Sequence, residues 1–143
     1  MYDTTLTLFN YHKATNLWYT TVFHGADVIA AEGSGSSVQG IQNKDAVDII
    51  IRTNALQIAV TPTGAKQYLR PKEYGACGNP ESAFTFTPQT DFIVVGDCGA
   101  KEPLKDDEDS GLYHRMNDIH DGVYLIHTAT YYSLLPHFEI GGS

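Results

Sequence analysis

Four side chains in the second half of the sequence are of types that bind metal ions: His114, Asp118, His120 and Asp121. Imidazole nitrogens and carboxylate oxygens are common zinc ligands, but zinc sites place them at characteristic spacings. Five residues separate the two histidines, which matches neither the HExxH helix of metalloproteases nor a zinc finger. The spacing therefore favours no metal site, and a small metal-binding enzyme that uses these side chains remains only an alternative hypothesis.

A contiguous acidic run, Asp106, Asp107, Glu108 and Asp109, precedes these residues. An EF-hand calcium loop needs acids at alternating positions, a central glycine and a glutamate at its twelfth position, and the contiguous acids do not follow that spacing. Blocks of like charge repel one another and stay solvated. We therefore expect a solvated acidic loop without a bound cation.

The sequence carries no familiar catalytic motif: GxSxG, the P-loop and GxGxxG do not occur in it. Its two cysteines, Cys77 and Cys98, form no CxxC pair, and we expect free thiols in a reducing cytoplasm. We therefore predict a protein that is not an enzyme and that needs no cofactor.

The formal net charge of −8 is concentrated in residues 97–121, which contain eight acids and three bases. A protein that grips a phosphate backbone needs clustered lysines and arginines, so we expect no specific binding of nucleic acid. No apolar run approaches the roughly 20 residues of a membrane span. The N-terminus also lacks the basic and apolar regions of a signal peptide. We expect a soluble protein made in the cytosol.

The rest of the sequence supplies the elements that would position these residues. Short runs rich in β-branched and aromatic residues, separated by turn residues, predict strands at 4–10, 17–24, 27–32, 47–53, 56–60, 66–69, 84–87, 91–97, 122–132 and 135–142. Leu112, Met116 and Ile119 are spaced for one or two helical turns. We predict one all-β domain over 1–143, a small β-barrel or sandwich with a long acidic insertion at about 99–121 and at most one short helix.

Aromatic side chains are the candidates for contacts with other proteins, because tyrosine and tryptophan bury large areas while keeping a polar tip. Neighbouring strand residues point to opposite faces, so one member of each aromatic pair, at 18 and 19 and at 131 and 132, should face solvent or a partner. The predicted interface residues are Trp18, Tyr19, Tyr131, Tyr132, Pro136, His137 and Phe138. His12 is expected on the surface of the first hairpin.

Taken in order, these segments resemble the head–tail joining proteins of tailed phages of Gram-positive hosts, often labelled head-closure, stopper or minor capsid proteins. Residues 17–28 are similar to that family's aromatic hairpin and Gly-x-Asp turn, and residues 48–52 to its central strand. Asp-Phe-Ile-Val-Val-Gly-Asp at 91–97 resembles its Gly-Asp-Tyr-Ile-Val-x-Gly strand, with a threonine before it where a glycine is common. Leu-Pro-His-Phe-Glu-Ile-Gly-Gly at 135–142 resembles its ending, with Phe138 in place of a tryptophan.

The resemblance implies a structural role in the virion neck. The chain would form a hexameric ring between the portal and adaptor proteins and the tail terminator or tail tube proteins, closing the DNA channel after packaging. The insertion would project into that channel, where Asp106, Asp107, Glu108 and Asp109 would let packaged DNA pass without binding it. A tail-side ring, such as a tail terminator or completion protein, is the alternative. Either protein would be made in the host bacterial cytoplasm and end in the virion.

Overall fold

The computed structural model describes residues 4–31, 46–54, 56–61, 64–99, 102–105 and 111–143. The four acids expected to line a channel, Asp106, Asp107, Glu108 and Asp109, lie outside the described residues. The flanks of that acidic run are described on both sides.

The first hairpin joins β1 (Thr4–His12) and β2 (Leu17–Ala31) in antiparallel register, as the apolar pattern predicts. The turn expected at Gly25 does not occur, and β2 continues through that residue as one strand. Gly25 has a φ of 79°, and the register with β1 shifts between Thr4 and Leu6. A β-bulge of this kind bends a strand without ending it, which is why two predicted strands are one.

Six strands close into a β-barrel in the order β1, β7, β9, β10, β3, β2 and back to β1. The other barrel strands are β3 (Ala46–Arg52), β7 (Phe92–Val95), β9 (Val123–Tyr132) and β10 (His137–Gly142). Each neighbouring pair in the barrel is antiparallel. The prediction of an all-β fold is confirmed, and of the two architectures considered the chain adopts the barrel.

A second, three-stranded sheet contains β4 (Ile58–Thr61), β5 (Gly64–Tyr68) and β6 (Ala83–Phe84), with β6 parallel to β5. The short helix α1 (Pro71–Ala76) and a 3-10 turn (Pro80–Ser82) connect its last two strands. The sequence analysis missed α1, because six residues are too few to show helical periodicity. A proline at the first helical position has its φ already set for a helix.

The inserted segment contributes β8 (Leu104–Lys105), which pairs with the start of β2, and the helix α2 (Gly111–Ile119). Two of the three apolar residues that predicted α2, Leu112 and Met116, are buried, whereas Ile119 is 62% exposed. The described residues thus contain two short helices where at most one was expected. Within the described residues, neither helix is long and apolar enough to cross a membrane.

The core has two layers, because side chains alternate along each strand. Leu8 packs with the cluster that fills the barrel, while its neighbour Phe9 packs with a second cluster on the outer surface. The second cluster joins β1, β2, β7 and β9 to α2, and contains Phe9, Trp18, Phe92, Val94, Leu112, Met116 and Val123. Phe9 and Phe92 stack in it with ring centroids 4.5 Å apart. The insertion therefore covers one outer face of the barrel.

Candidate docking surface

Three of the seven predicted interface residues, Trp18, Tyr19 and Phe138, are buried within this chain. Tyr19 packs edge-on against the buried ring of His12. Trp18 belongs to the outer cluster, where α2 residues pack and Leu104 covers it. The expectation that one member of the Trp18 and Tyr19 pair would face solvent or a partner is therefore wrong, because the insertion supplies a second layer of core.

The other four, Tyr131, Tyr132, Pro136 and His137, lie at or beside the turn between β9 and β10, as the strand bounds show. Tyr131 is half-buried against Phe138, with ring centroids 5.0 Å apart, whereas Tyr132 is exposed. The expectation of opposite faces is confirmed for this pair. We call residues 132–136 the hairpin tip.

Two leucines outside the predicted interface set are the most exposed large hydrophobic residues of the hairpin tip. Leu134 is 88% exposed and Leu135 is 79% exposed. For Leu134 the signal was available in the sequence, since this residue falls between the strands predicted at 122–132 and 135–142, where polar residues are usual. The predicted interface residues were mainly aromatic, and aliphatic residues such as Leu134 were therefore not among them.

The segment that follows β3 lies beside the hairpin tip. The backbone N–H of Thr53 donates to the carbonyl of Pro136 at 3.2 Å, and the Tyr131 hydroxyl is 3.5 Å from the carbonyl of Asn54. The Asn54 side chain in turn accepts a hydrogen bond from the backbone N–H of Leu56 at 2.9 Å. Leu56, two residues after Asn54, is itself an exposed aliphatic residue.

A groove of about 390 Å³ lies at the base of the hairpin tip, lined by Arg52, Thr53, Leu135, Pro136 and His137. A hydrogen bond to the Glu139 carboxylate at 3.0 Å, and a second contact with the carbonyl of Leu135, raise the pKa of His137. The groove therefore combines an aliphatic wall with side chains that can be positively charged, a combination suited to protein contact.

Asp91, at the start of the predicted strand 91–97, is fully buried. Its carboxylate accepts hydrogen bonds from the backbone of Tyr11 at 3.0 Å, the backbone of Thr87 at 2.9 Å and the amide of Asn10 at 2.8 Å. Burial raises the pKa of Asp91 to about 6, against the opposing effect of these donors. The contacts tie β1 to the segment before β7, which is a structural role.

His12, expected at the surface, is buried, and that expectation is wrong. Its ring packs edge-on against Tyr19 and Tyr74, at 5.8 and 5.5 Å between centroids. One ring nitrogen is 2.9 Å from the carbonyl of Cys77 and the other is 2.8 Å from the Thr15 hydroxyl. The imidazole therefore fastens the end of the first hairpin to the segment after α1.

A buried ion pair holds the start of the insertion against the barrel. The ammonium of Lys66 lies 3.1 Å from the carboxylate of Glu102, and both groups bond to the backbone of Thr20. Thr20 follows the residues of β2 that pair with β8, so the two side chains continue the contact along that strand. Sequence reasoning missed this pair because its members are distant in the chain.

The metal-ligand candidates do not come together. His114, Asp118 and Asp121 are exposed, and His120 is only partly buried. Within the described ranges, no group of three or more His, Cys, Asp or Glu side chains is placed to hold a metal ion. Cys77 and Cys98 are free thiols, both partly buried.

Comparison with known proteins adds a family but no activity. No curated protein and no solved structure matches the chain significantly. One family profile, described as a family of unknown function, DUF6751, matches residues 1–143. Since the match covers the whole sequence, the protein belongs to the DUF6751 family.

Proposed function

We propose that this protein is a structural component of the neck of a tailed phage, a ring subunit that docks between the portal–adaptor complex and the tail and closes the DNA channel after packaging. Two observations support the proposal: the resemblance of several segments to head–tail joining proteins, and the apolar hairpin tip. The tip carries the argument, because it overlaps at Leu135 and Pro136 with the segment that bears the resemblance at 135–142. In this proposal the protein acts by assembly, without catalytic turnover.

The closed barrel limits how a partner can attach. Barrel strands already pair with neighbours, so they offer few free edges to a foreign strand. Contacts above and below such a subunit must then come from turns and hairpin tips. Leu134 and Leu135 stand on such a tip, and burying one leucine side chain contributes roughly 1.5–3 kcal/mol. Both together would supply a substantial share of a docking energy.

The charge of the insertion fits the same role. Its seven acids against three bases would repel the DNA backbone, so that DNA slides past a ring instead of adhering to it. In this proposal the hairpin tip makes the contacts with the rings above and below, and the insertion lies on the channel side of each subunit.

Immunogold labelling of virions with an antibody against this chain tests the location. Labelling at the junction of head and tail is the expected result. Labelling below the first tail ring would replace the proposal with the tail-side alternative, and labelling spread over the capsid surface would remove both.

Variants of the hairpin tip test the mechanism. Leu134→Asp combined with Leu135→Asp should leave the protein folded, since both side chains are exposed, yet should cause heads and tails to accumulate separately. Ile119→Asp on α2 is the matched control, because Ile119 is an exposed aliphatic residue away from the tip. Normal joining with the double variant, or equal loss with the control, would contradict a docking role for the tip.

A further inference from the structure

A basic groove stands out on the surface of this acidic chain. It lies where the end of β1, the helix α1 and the segment before β7 meet, and it has a volume of about 470 Å³. Its lining contains two lysines and no acid: Tyr11, Lys13, Pro71, Lys72, Gly75, Ala76, Thr87 and Thr90. We call it the α1 groove.

The positive charge extends beyond the groove. Pro71 and Lys72 also line a neighbouring depression with Arg70 and Glu73, so that three bases and one acid share this surface. Among the described residues, neither lysine of the groove is in an ion pair. The surface charge is therefore positive at this groove, although the net charge of the chain is −8.

The walls of the groove are held in place before any ligand arrives. The backbone of Tyr11 donates to the buried Asp91, and its ring packs against Trp18 with centroids 5.3 Å apart. The backbone N–H of Ala14 donates to the carbonyl of Gly75 at 3.3 Å, which fixes the β1–β2 turn against α1. A preformed groove avoids part of the ordering cost of binding.

We propose that the α1 groove binds the acidic run, residues 106–109, of a neighbouring copy of this chain. The inference rests on the proposed ring, because a closed ring joins two different surfaces of adjacent subunits. Subunits of net charge −8 repel one another, so opposite charges at a ring contact would favour assembly. The acidic run supplies four carboxylates in succession, and the groove supplies Lys13 and Lys72 with threonine hydroxyls beside them.

Carbodiimide coupling with isotope mixing tests the contact directly. This reagent joins a lysine to a carboxylate only where the two already meet, and mixing unlabelled with ¹⁵N-labelled protein distinguishes contacts between copies from contacts within one. The expected result is mixed-isotope peptides that link Lys13 or Lys72 to residues 106–109. Cross-links of a single isotope only, or none at these lysines, would overturn the proposal.

Charge reversal gives a second test with a matched control. Lys72→Glu should weaken self-association about tenfold, measured by sedimentation, because it puts like charges together at the contact. Arg115→Glu makes the same change on the exposed surface of α2 and should have an effect of less than about twofold. Adding Glu108→Lys to Lys72→Glu should restore part of the loss. Equal effects of the two single variants, or no restoration, would contradict the contact.

The tests of the subunit contact and of the neck location can fail independently of each other. Cross-links in purified protein with labelling away from the neck would keep the contact and remove the neck role. Labelling at the neck without the cross-links would remove the contact alone.

Discussion

The buried ion pair between Lys66 and Glu102 leads to a quantitative prediction about stability. The Lys66 side chain is 4% exposed and that of Glu102 is 24% exposed. Lys66 also donates to the carbonyl of Thr20 at 2.7 Å, and Glu102 accepts from the N–H of Thr20 at 2.9 Å. The informative variants are Lys66→Met, Glu102→Gln and the two combined.

The three variants should differ in how much charge they leave buried. Glu102→Gln leaves the ammonium buried without its counter-charge, at a cost of about 3 kcal/mol in the free energy of unfolding. Lys66→Met leaves a carboxylate that water can reach, at a cost of about 2 kcal/mol. The double variant buries no lone charge and loses mainly the bond to Thr20, which again costs about 2 kcal/mol. The losses are therefore non-additive by about 3 kcal/mol.

Urea denaturation at neutral pH measures these free energies, provided that the unfolding curves followed by fluorescence and by circular dichroism coincide. Lys105→Met is the control, because Lys105 is an exposed lysine of the same segment and should change stability by less than about 0.5 kcal/mol. Additive losses, with the double variant about 5 kcal/mol less stable than the natural chain, would refute the coupling that the distances imply.

Three further predictions concern the strands and two titrating groups. Gly142→Ala would place a Cβ 2.7 Å from a backbone carbonyl of β9 and should cost about 2 kcal/mol in urea denaturation, whereas Gly78→Ala, with nothing within 4 Å, should be neutral. Burial raises the pKa of Asp91 from 3.8 to about 6. The Asp91 carboxyl therefore binds a proton more tightly in the folded protein than in the unfolded chain. Relative to Asp91→Asn, the stabilisation is complete below pH 3.8 and is lost as the pH rises through 6, a loss of roughly 2 kcal/mol between pH 4 and 7. An NMR titration should find the pKa of His137 above 6.5, and Glu139→Gln should lower it.

The strands could be predicted because alternating burial leaves a pattern in the sequence. Residues 47–53 and 91–97 were predicted as strands; β3 begins one residue earlier than the first range, and β7 forms within the second. The distinction between one bulged strand and two strands could not be predicted at Gly25, since glycine is compatible with both a turn and a bulge. Closure of the barrel depends on the pairing of β1 with both β2 and β7, which no local pattern encodes.

Only some of the predicted interface residues lie at the surface, because the sequence does not show which residues are covered by other parts of the chain. An outward-facing residue of a barrel is at the surface only if nothing else in the chain covers it, and Trp18 is covered by the insertion. The burial of Trp18 depends on contacts between residues that are distant in the sequence. The contacts of Asp91 with Asn10 and of Lys66 with Glu102 are of the same long-range kind. Exposure at a hairpin turn is local by comparison, so Leu134 could have been identified from the sequence.

The insertion connects these observations. On one side of the acidic run, β8 pairs with β2 and Glu102 is held by Lys66. On the other side, Leu112 of α2 is buried in the outer cluster. Both flanks of the run are therefore fastened to the barrel by contacts within the chain. A change that loosened either flank should weaken the proposed contact with the α1 groove of a neighbouring copy, even where every carboxylate of the run is kept.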